Sequence, residues 1–364
     1  MRQVFCFLAF IPMLFSSPNC LYDGTKDFAY NCTKEYPTIP LFHQRPTQFT
    51  KKLFGYPVAS SIGIPACAIM TSNGIEWASR AGFDILTYKT VRSHPFNGHP
   101  LPNIFVLENP KETGSLDKMI TISKESPFTA DSITMANSMG IPSLSLEWVL
   151  EDIAKARALL LPGQLLIVSI IGNPSEEKTL EQDFACLAKA VVDAGAHVVE
   201  ANLSCPNLHS LLATYKDPVA VSKIAEAIYE AIPTIPLVLK VGSFDSFEQM
   251  KKVFIAASLS HAKGICGINS LPMPIVDSEG NPAFGEHRKI AGVSGNFIRP
   301  KAYDFIVQAH QIIQEEHLDL VLLAAGGILK PEHFDFFLDA GADVALSATG
   351  AMWNPNLAIE YHNK

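Results

Sequence analysis

The strongest constraint in this 364-residue chain is an alternation that runs from about Tyr56 to the C-terminus. Short, β-rich apolar runs are followed by stretches with apolar residues at helical spacing. The runs are Pro57–Ile62, Asp84–Thr87, Leu165–Ile171, His197–Leu203, Pro236–Val241, Gly264–Asn269, Asp319–Ala324 and Asp343–Ser347. Glu177–Ala194, Pro218–Ile232, Phe247–Leu259 and Lys301–His317 carry the helical period. Strands without polar alternation are buried on both faces, as in a parallel sheet covered by helices. Eight βα units of this kind predict an α/β fold, a TIM (β/α)8 barrel. A doubly wound sheet is the competitor, but it favours a GxGxxG turn after the first strand, and that turn is missing. His94–Val149 is long for one βα connection, so an insertion after the second strand is expected, a lid or small antiparallel piece near the site. The expected division is an N-terminal extension, residues 1–45, and a barrel, residues 46–364.

Composition excludes several classes. A chain that is 48% hydrophobic and 18% charged is not disordered, and a net charge of −8 offers no broad basic face to nucleic acid. The opening is apolar from Val4 to Phe15 after a single Arg2. Twelve such residues suit a signal-peptide core, a helix lying on a membrane, or a segment packed on the body, and are too few to span a bilayer. The seven cysteines, an odd number without a framework spacing or a CxxC pair, point to a reducing compartment and give no support to zinc or iron–sulfur sites. Cytoplasmic residence is expected, with peripheral membrane contact through residues 4–15 as the alternative.

Reactive residues of such a barrel come from the carboxyl ends of its strands. Those ends carry Ser60, Ser61 and Gly63; Lys89 and Thr90; Asn202 to Asn207; Lys240; Asn269 and Ser270; Gly326 and Gly327; Ala348 and Thr349. There is no carboxylate pair for glycoside hydrolysis and no His/Asp cluster, so no metal is expected. Glycines after the seventh and eighth strands suit a phosphate held by backbone N–H groups, and Gly292–Gly295 extends that cradle. Lys89 and Lys240 emerge from apolar strands, where a cation calls for an anionic or electron-rich partner. Cys205 lies just past a strand between asparagines, a setting for a general base. A cysteine–histidine hydrolase would need an orienting partner, and His209 is the nearest candidate.

The stretch Glu200-Ala201-Asn202-Leu203-Ser204-Cys205-Pro206-Asn207 resembles the signature of the dihydroorotate dehydrogenases, FMN-dependent barrels of pyrimidine biosynthesis. The likeness extends from about Leu53 to the C-terminus and includes Lys89-Thr90, Asn137–Pro142, Lys240, Asn269-Ser270, Ala291–Gly295, Ala325–Ile328 and Thr349. It implies oxidation of dihydroorotate to orotate, with Cys205 removing the C5 proton and hydride passing from C6 to FMN. FMN contacts are implied for Ser61, Gly63, Lys89, Thr90, Asn202, Lys240, Ser294, Gly295, Gly326, Gly327, Ala348 and Thr349. Substrate contacts are implied for Lys89, Asn137, Met139, Gly140, Ile141, Asn202, Asn207, Asn269 and Ser270. Fumarate, NAD through a partner subunit, and quinone occur as electron acceptors among such enzymes, and a homodimer is expected. The chain departs from the pattern at Ala348, where glycine is usual, at Ser60–Gly63, and in the glycine-free loop after Asn207. Val276–Ile298 also resembles the pyrimidine-reducing domain of dihydropyrimidine dehydrogenases, although Asn207 favours dihydroorotate. A barrel that binds a phosphorylated ligand without redox chemistry is the remaining alternative.

Overall fold

The computed structural model describes residues 21–39, 41–42, 48–108, 119–123, 129, 132–204 and 214–364. In chain order, α1 (Phe28–Thr33) precedes a hairpin of β1 (Lys51–Leu53) and β2 (Tyr56–Val58), then β3 (Ile62–Ile64), α2 (Ser72–Arg80) and β4 (Ile85–Val91). Three short strands follow, β5 (Ile104–Val106), β6 (Ile120–Thr121) and β7 (Thr134–Asn137), before α3 (Leu146–Ala158). The repeat then resumes as β8 (Leu165–Ile170), α4 (Leu180–Asp193), β9 (Val198–Asn202), α5 (Pro218–Ala231), β10 (Leu237–Lys240), α6 (Phe247–Leu259) and β11 (Gly264–Gly267). A second hairpin, β12 (Leu271–Val276) and β13 (Ile290–Gly295), leads to α7 (Arg299–Glu315). The chain closes with β14 (Val321–Ala325), α8 (Pro331–Asp339), β15 (Val344–Leu346), α9 (Thr349–Trp353) and α10 (Leu357–His362).

Eight strands close into a barrel in the order β3-β4-β8-β9-β10-β11-β14-β15. Every neighbouring pair is parallel. The expected TIM barrel is present, and the physical reason is visible in burial: β4, β8, β9 and β10 are buried at every position. One face of each strand packs on helices. The other fills the barrel with Ile85, Leu165, Ile167, Val198, Val238, Leu323, Val344 and Leu346. Local signals hold the helices in place. Thr179 and Gln182 form a reciprocal capping box at α4, and Asp217 caps α5 ahead of Pro218.

The first strand sits later than the sequence suggests. Tyr56–Val58 pairs antiparallel with Lys51–Leu53, and this hairpin plugs the amino-terminal end with Leu53, Phe54, Tyr56 and Val58. Phe54 and Gly55 both adopt positive φ at its turn, 52° and 86°. The barrel strand begins at Ile62, so Ser61 lies at the amino-terminal end, where the Lys51 ammonium bonds its hydroxyl and Ala345 N–H donates to its carbonyl.

The insertion after β4 supplies β5, β6 and β7, which join the hairpin after β11 in a five-stranded sheet ordered β5-β7-β13-β12-β6. It is a mixed sheet, since β12 and β6 run parallel. Gly292–Gly295 is therefore strand rather than loop. The described part of the N-terminal extension packs into the main core through Leu21, Tyr22, Phe28, Cys32 and Ile39. Residues 4–15 lie outside the described residues. Among the described residues, no helix is long and apolar enough to cross a membrane.

Candidate functional site

A cleft opens at the carboxyl end of the barrel, between the strand ends, the five-stranded sheet and the N-terminal segment. It has two lobes, with about 820 Å³ and about 620 Å³ of empty space counted out to the open mouth. The lobes share Ala66, Cys67, Asn137, Met139, Lys240, Asn269 and Ser270 and so form one continuous depression.

The first lobe is lined by glycines and small hydroxyls. Ser294 and Gly295 end β13, Gly326 and Gly327 follow β14, and Ala348 and Thr349 follow β15. Thr349 Oγ1 donates to Ser294 Oγ at 3.3 Å, tying two of these loops together. Gly327 has φ 77°, and a Cβ there would lie 2.4 Å from Arg299 Cβ and 2.9 Å from the Gly295 carbonyl oxygen. Only glycine fits. The Gly326 and Gly327 amides donate to no backbone carbonyl among the described residues. Unspent N–H groups on a close-approaching backbone suit the oxygens of a phosphate.

The second lobe is polar and cationic. Lys89, seven per cent exposed, donates from Nζ to Thr90 O at 2.7 Å and to Pro142 O. The Phe28 ring of α1 lies below its ammonium, 5.1 Å to the centroid. Burial pushes Lys89 down to about 8, against the opposing pull of the Cys32 and Cys67 thiols. Lys240 is equally buried but stands above its ordinary value: burial, the largest influence, lowers it, and the carboxylate of Glu200, 4.0 Å away, together with Cys266 and Cys67, more than offsets this.

Amides line the rest. Asn269 Nδ2 donates to Asn202 Oδ1 at 3.3 Å and to the Ser204 carbonyl; Asn202 Nδ2 donates to Thr90 Oγ1 at 3.4 Å. Ser270 N–H donates to Asn269 Oδ1 at 2.9 Å, and Asn137 Nδ2 to Gly292 O at 3.4 Å. Gly140 and Ile141 have consecutive positive φ angles, 78° and 56°. That turn brings Met139 and Ile141 to the cleft beside Pro142. Amides of this kind match a planar ring with alternating N–H and C=O groups.

Most residues singled out in the sequence therefore converge. Lys89, Thr90, Asn137, Met139, Ile141, Asn202, Lys240, Asn269, Ser270, Ser294, Gly295, Gly326, Gly327, Ala348 and Thr349 all line the cleft. Gly140 shapes the turn without lining it. Ser61 does not reach the cleft, and Gly63 is inside the packed strand, where a Cβ would meet Ile85 O at 2.1 Å. The shift of the first strand explains both: its carboxyl end is Pro65–Ala68, and that loop lines the cleft instead. Cys205, Asn207 and His209 lie outside the described residues. Ser204, next to Cys205, is buried at the end of β9, its carbonyl held by Asn269. Sequence reasoning missed Cys67, at φ 101°, and Tyr22, which reaches the cleft from the N-terminal segment. Among the described residues no three His, Cys, Asp or Glu side chains gather as a metal site, and Cys32, Cys67, Cys186 and Cys266 are free.

Comparison with known proteins gives concordant results. The profile of the family described as dihydroorotate dehydrogenase matches residues 125–359. A dihydroorotate dehydrogenase of Dictyostelium discoideum is 41% identical over 318 residues, 85% of this chain and 86% of that protein. The NAD-dependent dihydropyrimidine dehydrogenase subunit PreA of Escherichia coli is 30% identical over 198 residues, 52% of this chain and 46% of its own length. Among solved structures, a dihydroorotate dehydrogenase from Eimeria tenella in complex with ferulenol shares the fold, with a TM-score of 0.66 at 18% identity, over 85% of this chain and 81% of the other.

Proposed function

We infer the reaction from kinship: the chain belongs to the dihydroorotate dehydrogenase family, and it is an oxidoreductase that converts dihydroorotate to orotate in pyrimidine biosynthesis. Family membership implies a flavin. FMN is the flavin that suits the cleft, because the glycine lobe is fitted to a phosphate and lies next to a polar lobe sized for a ring. Gly295, Gly326, Gly327, Ser294 and Thr349 would hold the phosphate end. Lys240, Lys89, Thr90 and Asn202 would face the ring end. When bound, FMN supplies the two-electron acceptor for the hydride that leaves C6 of the substrate.

The chain's own residues do the rest. Asn137, Asn202, Asn207 and Asn269, with Ser270, bind the ring of dihydroorotate through its imide groups, each amide offering a donor and an acceptor. Lys89 and the backbone of the Met139–Ile141 turn meet the carboxylate. Cys205 takes the proton from C5, which the neighbouring carbonyl acidifies. Alignment of the ring by fixed amides makes that transfer effectively unimolecular. The observation that carries this reading is the convergence of Lys89, Lys240 and three of the asparagines on one cleft beside the glycine cradle.

The electron acceptor differs among relatives. One from Lactobacillus delbrueckii is named for fumarate, and one from Alkaliphilus metalliredigens is named as the catalytic subunit of an NAD(+) enzyme. For this chain we hold fumarate, NAD through a partner subunit, or quinone as the acceptors, a homodimer as the assembly and the cytoplasm as the compartment. Membrane contact through residues 4–15 is the alternative. Dihydropyrimidine reduction is the second reading, favoured by the likeness to PreA over half of the chain.

The test is anaerobic. Cys205→Ala should keep its flavin colour and lose bleaching by dihydroorotate; retained bleaching at the wild-type rate overturns the role of Cys205. Reoxidation of the bleached wild type by fumarate, NAD and a soluble quinone in turn identifies the acceptor.

A further inference from the structure

Below the cleft the barrel interior is largely apolar, and one residue there carries a charge. Glu200, on β9, is fully buried, and neither carboxylate oxygen has a hydrogen-bond partner among the described residues. Its cross-strand neighbours are Ser169 of β8 and Val238 of β10. The cation nearest to it is Lys240, whose Nζ is 4.0 Å from Oε1. That distance is too long for a hydrogen bond and short enough for a strong buried charge pair. Lys240 lies one step higher, paired across the sheet with Asn202 and Cys266, and lines both lobes of the cleft. Its side chain donates no hydrogen bond to a described residue, so its N–H groups are available to whatever occupies the cleft.

We propose that Glu200 is a positioning residue for Lys240, a counter-charge beneath the cleft that keeps the ammonium protonated while leaving its N–H groups directed at the bound flavin. The proposal rests on the reading that a flavin ring lies over Lys240. A buried ammonium with no counter-charge loses its proton at lower pH, as Lys89 does, and a counter-charge bonded directly to it would use up its donors. The spacing seen here avoids both outcomes. The titratable groups facing Lys240 are Glu200 from β9, Cys266 from β11 and Cys67 from the loop after β3. Burial is the largest influence and lowers Lys240; Glu200 makes the largest opposing contribution and, with smaller ones from Cys266 and Cys67, leaves the ammonium above its ordinary value. Glu200 caps no backbone, and besides Lys240 the titratable group beside it is the Cys266 thiol of β11.

The probe is sulfite, which bleaches protein-bound flavin more readily when a cation faces the ring. Its dissociation constant is measured on the flavin-loaded protein from pH 6 to 9.5, for wild type and Glu200→Gln side by side, so that the ionisation of sulfite cancels in their ratio. Loss of the counter-charge should let Lys240 titrate inside this range. The ratio of variant to wild type should then rise by about tenfold per pH unit above the new titration point, and by at least about tenfold across the range. Glu200→Asp should keep the ratio near one. In a Lys240→Met background, Glu200→Gln should have no pH-dependent effect, which separates a charge role from a merely structural one. A ratio that stays flat with pH, or a Glu200→Gln effect that persists in the Lys240→Met background, overturns the proposal.

If Glu200→Gln alone fails to hold flavin, recovery of flavin binding in the double variant supports the proposal, and equal failure of both overturns it. A wild-type protein that takes up no flavin would instead remove the underlying reading.

Discussion

Lys89 should act as a carboxylate anchor whose charge is lost just above neutral pH. The perturbation is Lys89→Met, which keeps the length and apolar stem and removes the ammonium. Burial pushes Lys89 down to about 8, and the Cys32 and Cys67 thiols only partly oppose this. The free-protein group is therefore charged at pH 7 and loses its charge as pH rises through about 8. By linkage, the dissociation constant for orotate should be level from pH 6 to about 7.5 and should then rise by about tenfold per unit. A charge-assisted bond between buried groups is worth about 2–4 kcal/mol when one partner is truncated, so Lys89→Met should weaken orotate on the order of 30- to 1,000-fold at pH 7. The variant's constant should also be level with pH over this range. The assay is titration of the flavin-loaded protein with orotate, followed by the flavin absorbance change. A wild-type constant that stays level to pH 9.5, or a Lys89→Met constant within threefold of wild type at pH 7, would refute the reasoning.

Two further outcomes follow from packing. Asp152 is buried and accepts from Ser72 N–H at 2.7 Å, Ser72 Oγ at 2.5 Å and Tyr88 Oη at 2.7 Å, joining α3 to α2 and β4. Asp152→Ala strands these donors and should cost about 3–5 kcal/mol, read as a lower urea midpoint at unchanged slope. Gly327→Ala forces a left-handed residue, about 1–2 kcal/mol, and drives a methyl into Arg299, about 1–3 kcal/mol more. Flavin affinity in that variant should fall by roughly tenfold or more, measured by fluorescence on release of the flavin, while the barrel still folds.

The legible parts of the sequence were those governed by local burial. The strands from Leu165 to Lys240 read as apolar runs because both faces are covered, and the structure differs from the reading there by at most one residue at each end. Lys89 and Lys240 stood out because nothing else in their strands is charged; Glu200, on the neighbouring β9, was concealed by the signature stretch. The first strand misled because Tyr56–Val58 has strand composition and does form a strand, but in a plugging hairpin. Gly55 at the turn and Pro57, awkward in a central strand, were the signals that could have found it. The five-stranded sheet was not legible, since it pairs β7 with β13 across more than a hundred intervening residues and periodicity carries no information on such pairing. Tyr22 and Cys67 were missed for a related reason: each reaches the cleft by tertiary placement from a segment with no period of its own.

Passage of electrons from dihydroorotate to a flavin bound in this cleft is the step on which the function rests. It is tested most directly by adding dihydroorotate in steps to the oxidised, flavin-loaded protein without air and following flavin absorbance and orotate together. Bleaching should end at one equivalent per site, with orotate formed in equal amount and no bleaching by dihydrouracil. A flavin that stays oxidised with dihydroorotate, or one that bleaches with dihydrouracil instead, would contradict it.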